Sequence, residues 1–318
     1  MDSAAAEDET VRHGEVIALS DSDDQEPPGS SARDDSLAQE DIEHFTLPPA
    51  TDGKREITCE RRGPAPASLV FTHGAGGTLS APACAEFTAG FATASPIVSF
   101  NGTMHLGQRV KSFRAVASSE RTNGQVIALG GRSMGARAAC VYNTESPAGV
   151  KGMSRSLVLV SYPLMGANGT SREDLLLGLQ WRSTRVLFIS GSNDSMCPLP
   201  QLRDVMSRMK TESWLCVVEG ANHGMDCKPK KVSAVMRRAT GRLAAEWLKR
   251  RDGERRECKI WWDGEVKSTG WVSEISQDGA AAQEDNDAGV NTDGAIEEDA
   301  EVSGDDAEPQ HKKRKPTT

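Results

Sequence analysis

Three short segments hold residues whose types and surroundings could carry out acyl transfer. The first is Gly131-Arg-Ser-Met-Gly135, a G-x-S-x-G placed between an apolar run and a helical stretch. In a strand–turn–helix context such a turn is a nucleophile elbow, with the flanking glycines Gly131 and Gly135 letting strand and helix backbones pass closely. Ser133 would then project from the edge of a sheet. The second segment holds Asp194, in Ile189-Ser-Gly-Ser-Asn-Asp194, and the third holds His223, in Glu219-Gly-Ala-Asn-His223. Taken singly, each has a plainer reading: a capping serine, a turn-forming aspartate, an exposed loop histidine. Together they follow strand ends in the order Ser, Asp, His, and that order points to a nucleophile, an orienting acid and a general base. Of six histidines, His13 and His311 lie in the flanks, His44 precedes the core, His105 follows no strand and His73 belongs to the glycine run Phe71–Gly77. His223 remains as the base.

A fourth segment, Phe71-Thr-His-Gly-Ala-Gly-Gly77, follows the first long apolar run. Its small residues allow backbone N–H groups to approach a tetrahedral oxyanion, with Ala75 as the first donor and Gly76 as the next. The N–H of Met134, just after the nucleophile, supplies the other half of such an oxyanion hole. A phosphate loop is the competing reading, but the run lacks a Gly-Lys-[Ser/Thr] ending and the G-x-G-x-x-G spacing. The mechanism so read needs no cofactor and no metal, and no C-x-x-C pair occurs among the seven cysteines.

Elements that would position these residues recur along the chain. Apolar runs at Leu69–Thr72, Ile97–Phe100, Val126–Leu129, Leu157–Ser161, Val186–Ser190 and Trp214–Glu219 are mostly continuous, as in strands buried on both faces of a parallel sheet. Helical spacing appears in Val110–Ala117, Ala136–Tyr142 and Leu199–Met209, and again over about 229–250, where Lys and Arg take the outer face. Glu43–Leu47 and Glu56–Glu60 read as an antiparallel hairpin. The pattern predicts an α/β fold: a mostly parallel, doubly wound sheet with an antiparallel N-terminal edge hairpin.

With these residues in place, the chain resembles the α/β-hydrolase superfamily, near the dienelactone hydrolases. More narrowly, it is similar to the branch that groups testis-expressed protein 30 with subunit 3 of the NSL histone-acetyltransferase complex. The resemblance rests on Thr72–Gly77, Phe100-Asn101, Gly130–Arg137, Tyr162-Pro-Leu164, Gly191–Asp194 and Glu219–His223, and it spans roughly 44–250. It implies the α/β-hydrolase fold; the folded core over 41–252 leaves no room for a cap domain, so an open site suited to a small acyl substrate is expected. The resemblance also implies a nuclear protein complex as partner, because the branch includes chromatin scaffolds. The chain departs from the branch at Asn101-Gly-Thr-Met104, where Pro and Tyr usually follow the Phe-Asn pair.

Charge divides the 318 residues further. Residues 1–40 hold 12 acids and 2 bases, and 274–310 hold 13 acids with no Lys or Arg. The stretch 41–273 holds 31 bases against 21 acids. Both flanks are poor in large apolar residues and read as disordered. The expected organisation is an acidic tail (1–40), the folded domain (41–252), a tryptophan-containing border (253–273) and a second acidic tail (274–318). Val16-Ile-Ala-Leu19 followed by Ser20-Asp-Ser-Asp-Asp24 has the form of a SUMO-interacting motif, an apolar strand beside an acidic cluster. Lys312-Lys-Arg-Lys315 reads as a nuclear import signal. Arg250-Arg251 and Arg255-Arg256, ahead of Trp261-Trp262, admit nucleic-acid contact, but the solvated end of the last helix is the favoured reading. No run is long and apolar enough for a membrane span, and the acidic N-terminus does not read as a secretory signal.

Overall fold

The computed structural model describes residues 42–50, 55–122, 128–145, 156–166, 168–179, 184–251 and 253–270. The SUMO-like motif at Val16–Leu19, the Lys312–Lys315 cluster, Trp271 and both acidic tails lie outside the described residues.

Ten strands form one sheet in the order β1-β2-β4-β3-β5-β6-β7-β8-β9-β10. Strands β1 (Ile42–Leu47) and β2 (Ile57–Arg62) make the antiparallel edge hairpin, and β2 pairs antiparallel with β4 (Ile97–Phe100). From β4 onward, β3 (Leu69–Thr72), β5 (Ala128–Arg132), β6 (Ser156–Val160), β7 (Arg185–Gly191) and β8 (Glu212–Val218) run parallel. The sequence places the strand before Ser133 at Val126–Leu129; the observed one begins at Ala128 and runs through Arg132, with 126 and 127 outside the described residues.

Side chains on successive strand residues alternate between two apolar layers. Val70, Val98, Leu157, Leu159 and Phe188 face one core with α2 (Leu106–Ala117), α3 (Met134–Glu145) and α5 (Leu199–Arg208). Leu69, Phe71, Ile97, Val158, Val160 and Ile189 face the other, with α1 (Pro82–Ala92) and α6 (Ser233–Lys249). A short helix, α4 (Asp174–Leu177), lies between β6 and β7. Burial on both faces is why these strands read as continuous apolar runs.

Helix α1 buries Cys84, Phe87, Thr88, Gly90 and Phe91, and alanines at its other positions leave it little amphipathic contrast. Its contact with α6 explains Gly90. A Cβ on Gly90 would lie 2.0 Å from the Arg238 carbonyl oxygen, and one on Gly241 would lie 2.0 Å from that of Phe87. Two glycines therefore let the helix backbones touch. The outer face of α6 is also not uniformly solvated, because Arg237 is buried and its guanidinium donates to Asp226 and to the Met225 carbonyl.

The segment read as a border continues the sheet. β9 (Glu257–Trp262) pairs parallel with β8, burying Cys258 and Ile260, and β10 (Val266–Thr269) closes the edge as an antiparallel hairpin. The basic cluster beside it is packed: Arg251 lies over Trp247 at 5.0 Å, and Arg256 lies over Trp214 at 5.2 Å while pairing with Glu212. All seven cysteines are buried and none is in a disulfide. Burial pushes the thiols of Cys59 and Cys84 up to about 12 and that of Cys197 up to about 11. Among the described residues, no helix is long and apolar enough to cross a membrane, and no group of three metal-ligating side chains occurs.

Candidate active site

Strand order reverses direction around β3, since β4 lies on one side of it and β5 on the other. At such a switch point the loops leaving the carboxyl ends diverge and open a crevice. The loops after β3 and β5 carry the glycine run and Ser133.

Ser133 sits in the left-handed region at φ 51°. A non-glycine residue holds that conformation at a cost of about 1–2 kcal/mol, so the surroundings must enforce it. They do so through close packing. A Cβ on Gly131 would lie 2.4 Å from the Gly135 carbonyl carbon, and one on Gly135 would lie 2.5 Å from the Thr72 carbonyl oxygen. Only glycine fits at either position. The Ser133 N–H donates to the Val160 carbonyl at 2.9 Å, and its own carbonyl accepts from Arg137 N–H at 3.2 Å. The strand thus ends and α3 begins across a single residue.

The acid and histidine loops leave β7 and β8. They pack backbone to backbone: a Cβ on Gly191 would lie 2.2 Å from the Ala221 carbonyl oxygen, and Asn193 N–H donates to that oxygen at 2.9 Å. The Asp194 side chain is fully buried. Its Oδ1 accepts from Met196 N–H at 2.9 Å, and His223 Nδ1 lies 3.1 and 2.9 Å from Oδ1 and Oδ2. Two carboxylate oxygens against Nδ1 assign the ring proton there, leaving the Nε2 lone pair for Ser133. Nε2 lies 3.0 Å from Ser133 Oγ. The three side chains read from the sequence form one hydrogen-bonded chain.

The oxyanion segment is placed as follows. Ala75 and Gly76 are exposed on the loop after β3, and Gly76 adopts φ +65°. Gly76 N–H is directed at Met104 Sδ, 2.8 Å away. Met134 is the first residue of α3, where an N–H has no intrahelical acceptor.

Several contributors escape sequence reasoning. Arg132 donates to the His223 carbonyl at 2.8 Å and so ties the histidine loop to the elbow. Its other terminal nitrogen lies where a side chain at Gly74 would go, 2.7 Å from a built Cβ. The second position of a G-x-S-x-G is unrestricted, so the motif does not mark it. His73 bridges two loops: its Nδ1 faces the Gly74 carbonyl at 2.7 Å, and its Nε2 accepts from Gly102 N–H at 3.0 Å. Burial and the neighbouring Arg109 charge lower its pKa to about 4, so the ring is neutral. Asn101 Oδ1 accepts from Leu79 N–H at 3.1 Å and stitches the same loops.

A family model described as "Alpha/beta hydrolase domain" matches residues 65–249, more than half of the chain. The protein belongs to the α/β-hydrolase family. Among solved structures, a dienelactone hydrolase from Anabaena variabilis is similar at 17 % identity, with a TM-score of 0.50, over 65 % of this chain and 97 % of that one. The esterase Est1E from Butyrivibrio proteoclasticus is similar at 12 % identity, with a TM-score of 0.48, over 65 % of this chain and 99 % of that one. An alpha-beta serine hydrolase homologue from Coxiella burnetii gives 15 % identity and 0.47, over 64 % and 96 %. At 17 % identity the likeness to the dienelactone hydrolase speaks to the fold.

Proposed function

We propose that the protein is a serine hydrolase that cleaves a small ester or thioester through an acyl-enzyme intermediate. The observation that carries this reading is the continuous chain Ser133–His223–Asp194, with contacts of 3.0 Å at Nε2 and 2.9 Å at Nδ1. In the first step His223 Nε2 takes the Ser133 proton as Oγ attacks the substrate carbonyl carbon. The buried Asp194 carboxylate stabilises the imidazolium so formed. The tetrahedral oxyanion is received by the N–H groups of Ala75 and Met134, the Gly76 N–H being held by Met104 Sδ. His223 then gives the proton to the departing alcohol or thiol as the C–O or C–S bond breaks. In the second step a water attacks the acyl-Ser133 ester, again losing a proton to His223, and the acid is released.

A fluorophosphonate probe tests this on the full chain. Ser133 Oγ displaces fluoride from phosphorus while His223 takes the serine proton. Labelling of the wild type that disappears in Ser133→Ala and falls by at least about 10³-fold in His223→Ala is the expected result. An unlabelled, folded wild type overturns it.

A second reading is favoured by the flanks: their acidic composition, the Val16–Leu19 motif and the Lys312–Lys315 cluster. In it the domain serves as an interaction module of a nuclear complex, in line with the scaffold members of the testis-expressed protein 30 branch. The discriminating observation is the same labelling experiment, followed, where it fails, by capture of nuclear partners with the full chain and with Val16→Ala/Ile17→Ala.

A further inference from the structure

We infer that Arg109, acting together with His73, is a positioning residue that aims the Ala75 N–H at the developing oxyanion. This rests on the serine-hydrolase reading above. Arg109 is on α2, is fully buried, and has no carboxylate within ion-pair distance among the described residues. Burying a charge without a counter-ion is costly, and an apolar side chain of similar length would pack there at less cost. The guanidinium is instead solvated by backbone. Nη1 donates to the His73 carbonyl, and Nη1 and Nη2 reach the Gly74 carbonyl at 3.3 and 3.4 Å. Nη2 donates to Gly102 at 3.2 Å and Nε to Thr103 at 2.9 Å. The planar fork thus holds four carbonyls from two loops, which a lysine ammonium cannot reproduce.

The consequence follows from peptide geometry. In a trans peptide the C=O and the following N–H point in opposite directions and rotate as one rigid plane. The Gly74 carbonyl and the Ala75 N–H belong to the same plane. Arg109 from α2 and His73 Nδ1–H at 2.7 Å both hold that carbonyl inward, so the Ala75 N–H is turned outward, away from the guanidinium. The cationic end also polarises the peptide, strengthening the donor at its far side. Gly74 itself lies against the nucleophile, since a Cβ built on it would be 3.5 Å from Ser133 Cβ. Room for the clamp is specific too: a Cβ on Gly102 would lie 2.5 Å from Arg109 Nε.

The test compares wild type, Arg109→Lys, Arg109→Ala and His73→Asn in the full chain, using p-nitrophenyl acetate turnover and fluorophosphonate labelling, with folding checked by circular dichroism. Loss of an oxyanion donor costs about 10²–10³-fold in kcat. Arg109→Lys is expected to lower kcat and labelling rate about 10²-fold with KM changed less than about threefold, and methylguanidinium is expected to restore part of the Arg109→Ala loss saturably. A folded Arg109→Lys with wild-type kcat overturns the inference. Should neither Arg109 variant fold, His73→Asn decides: a kcat loss of about tenfold at constant KM supports the clamp, and unchanged kcat overturns it. A wild type that neither labels nor turns over removes the underlying reading instead, which keeps the two failures apart.

Discussion

Ser133 occupies a backbone conformation that serine alone would not choose, and the glycines two residues to either side hold it there. Chemistry and strain meet at one position, as is usual where a nucleophile must stand clear of its sheet. His73 shows the opposite logic, a titratable ring kept neutral for structural work. Its folded pKa of about 4 lies below the ordinary 6.5, so the native state binds fewer protons than the unfolded chain between those values. Stability linked to His73 is therefore complete above about pH 6.5 and declines as pH falls toward 4, by up to about 3 kcal/mol. Urea unfolding of wild type and His73→Asn at several pH values checks this. The stability gap between them should narrow as pH drops from 6.5 to 4, and a gap constant with pH would contradict the assignment.

Among the elements, the α1–α6 crossing shows how magnitude settles sign. Replacing Gly241 by Ala inside a helix ordinarily gains about 1 kcal/mol from propensity. Here the added Cβ would meet the Phe87 carbonyl oxygen at 2.0 Å, and forcing the helices apart costs about 1–3 kcal/mol or more. Gly241→Ala should therefore be destabilising by roughly 1–2 kcal/mol in denaturant titrations, whereas Gly253→Ala, which meets nothing, should change little. The same crossing explains what the sequence could and could not disclose. Helices α2, α3, α5 and α6 carry apolar stripes and are legible from spacing. Helix α1 buries Cys84, Phe87, Thr88 and Phe91 on one side, but alanines on its other faces blur the apolar–polar contrast that periodicity needs. Strand β9 shows a buried–exposed alternation at Cys258 and Ile260, but in a run too short and too tryptophan-rich to separate from a loose border. At the site, Ser133, Asp194 and His223 are legible because motif, order and strand-end position converge. Arg109 and Arg132 act on backbone carbonyls of distant loops and His73 accepts from the distant Gly102 N–H, and no local pattern marks a residue whose partners are main chain.

The whole sheet ends in a hairpin on both sides, β1–β2 at one edge and β9–β10 at the other. Short outer strands with charged residues discourage pairing with other chains, and β10, with Lys267, is only four residues long. Strand β8, by contrast, is buried along Ser213–Val218. Deleting 257–269 would bare an apolar strand with unpaired N–H and C=O groups. The expected outcome is loss of the peak that the full chain gives and growth of high-molecular-weight species in size-exclusion chromatography. Retention of the full chain's elution profile would show that β9 and β10 are dispensable.

The seven buried thiols have a practical corollary. With every native cysteine covered, and most pushed toward protonation by burial, the molecule offers a silent background to maleimide chemistry. A single cysteine introduced at the exposed Met104, whose sulfur already reaches the Gly76 amide, would be the fast-reacting thiol among the described residues. An environment-sensitive fluorophore attached there would report, in real time, on whatever enters the crevice beside Ser133, without any native residue having to be removed from the core.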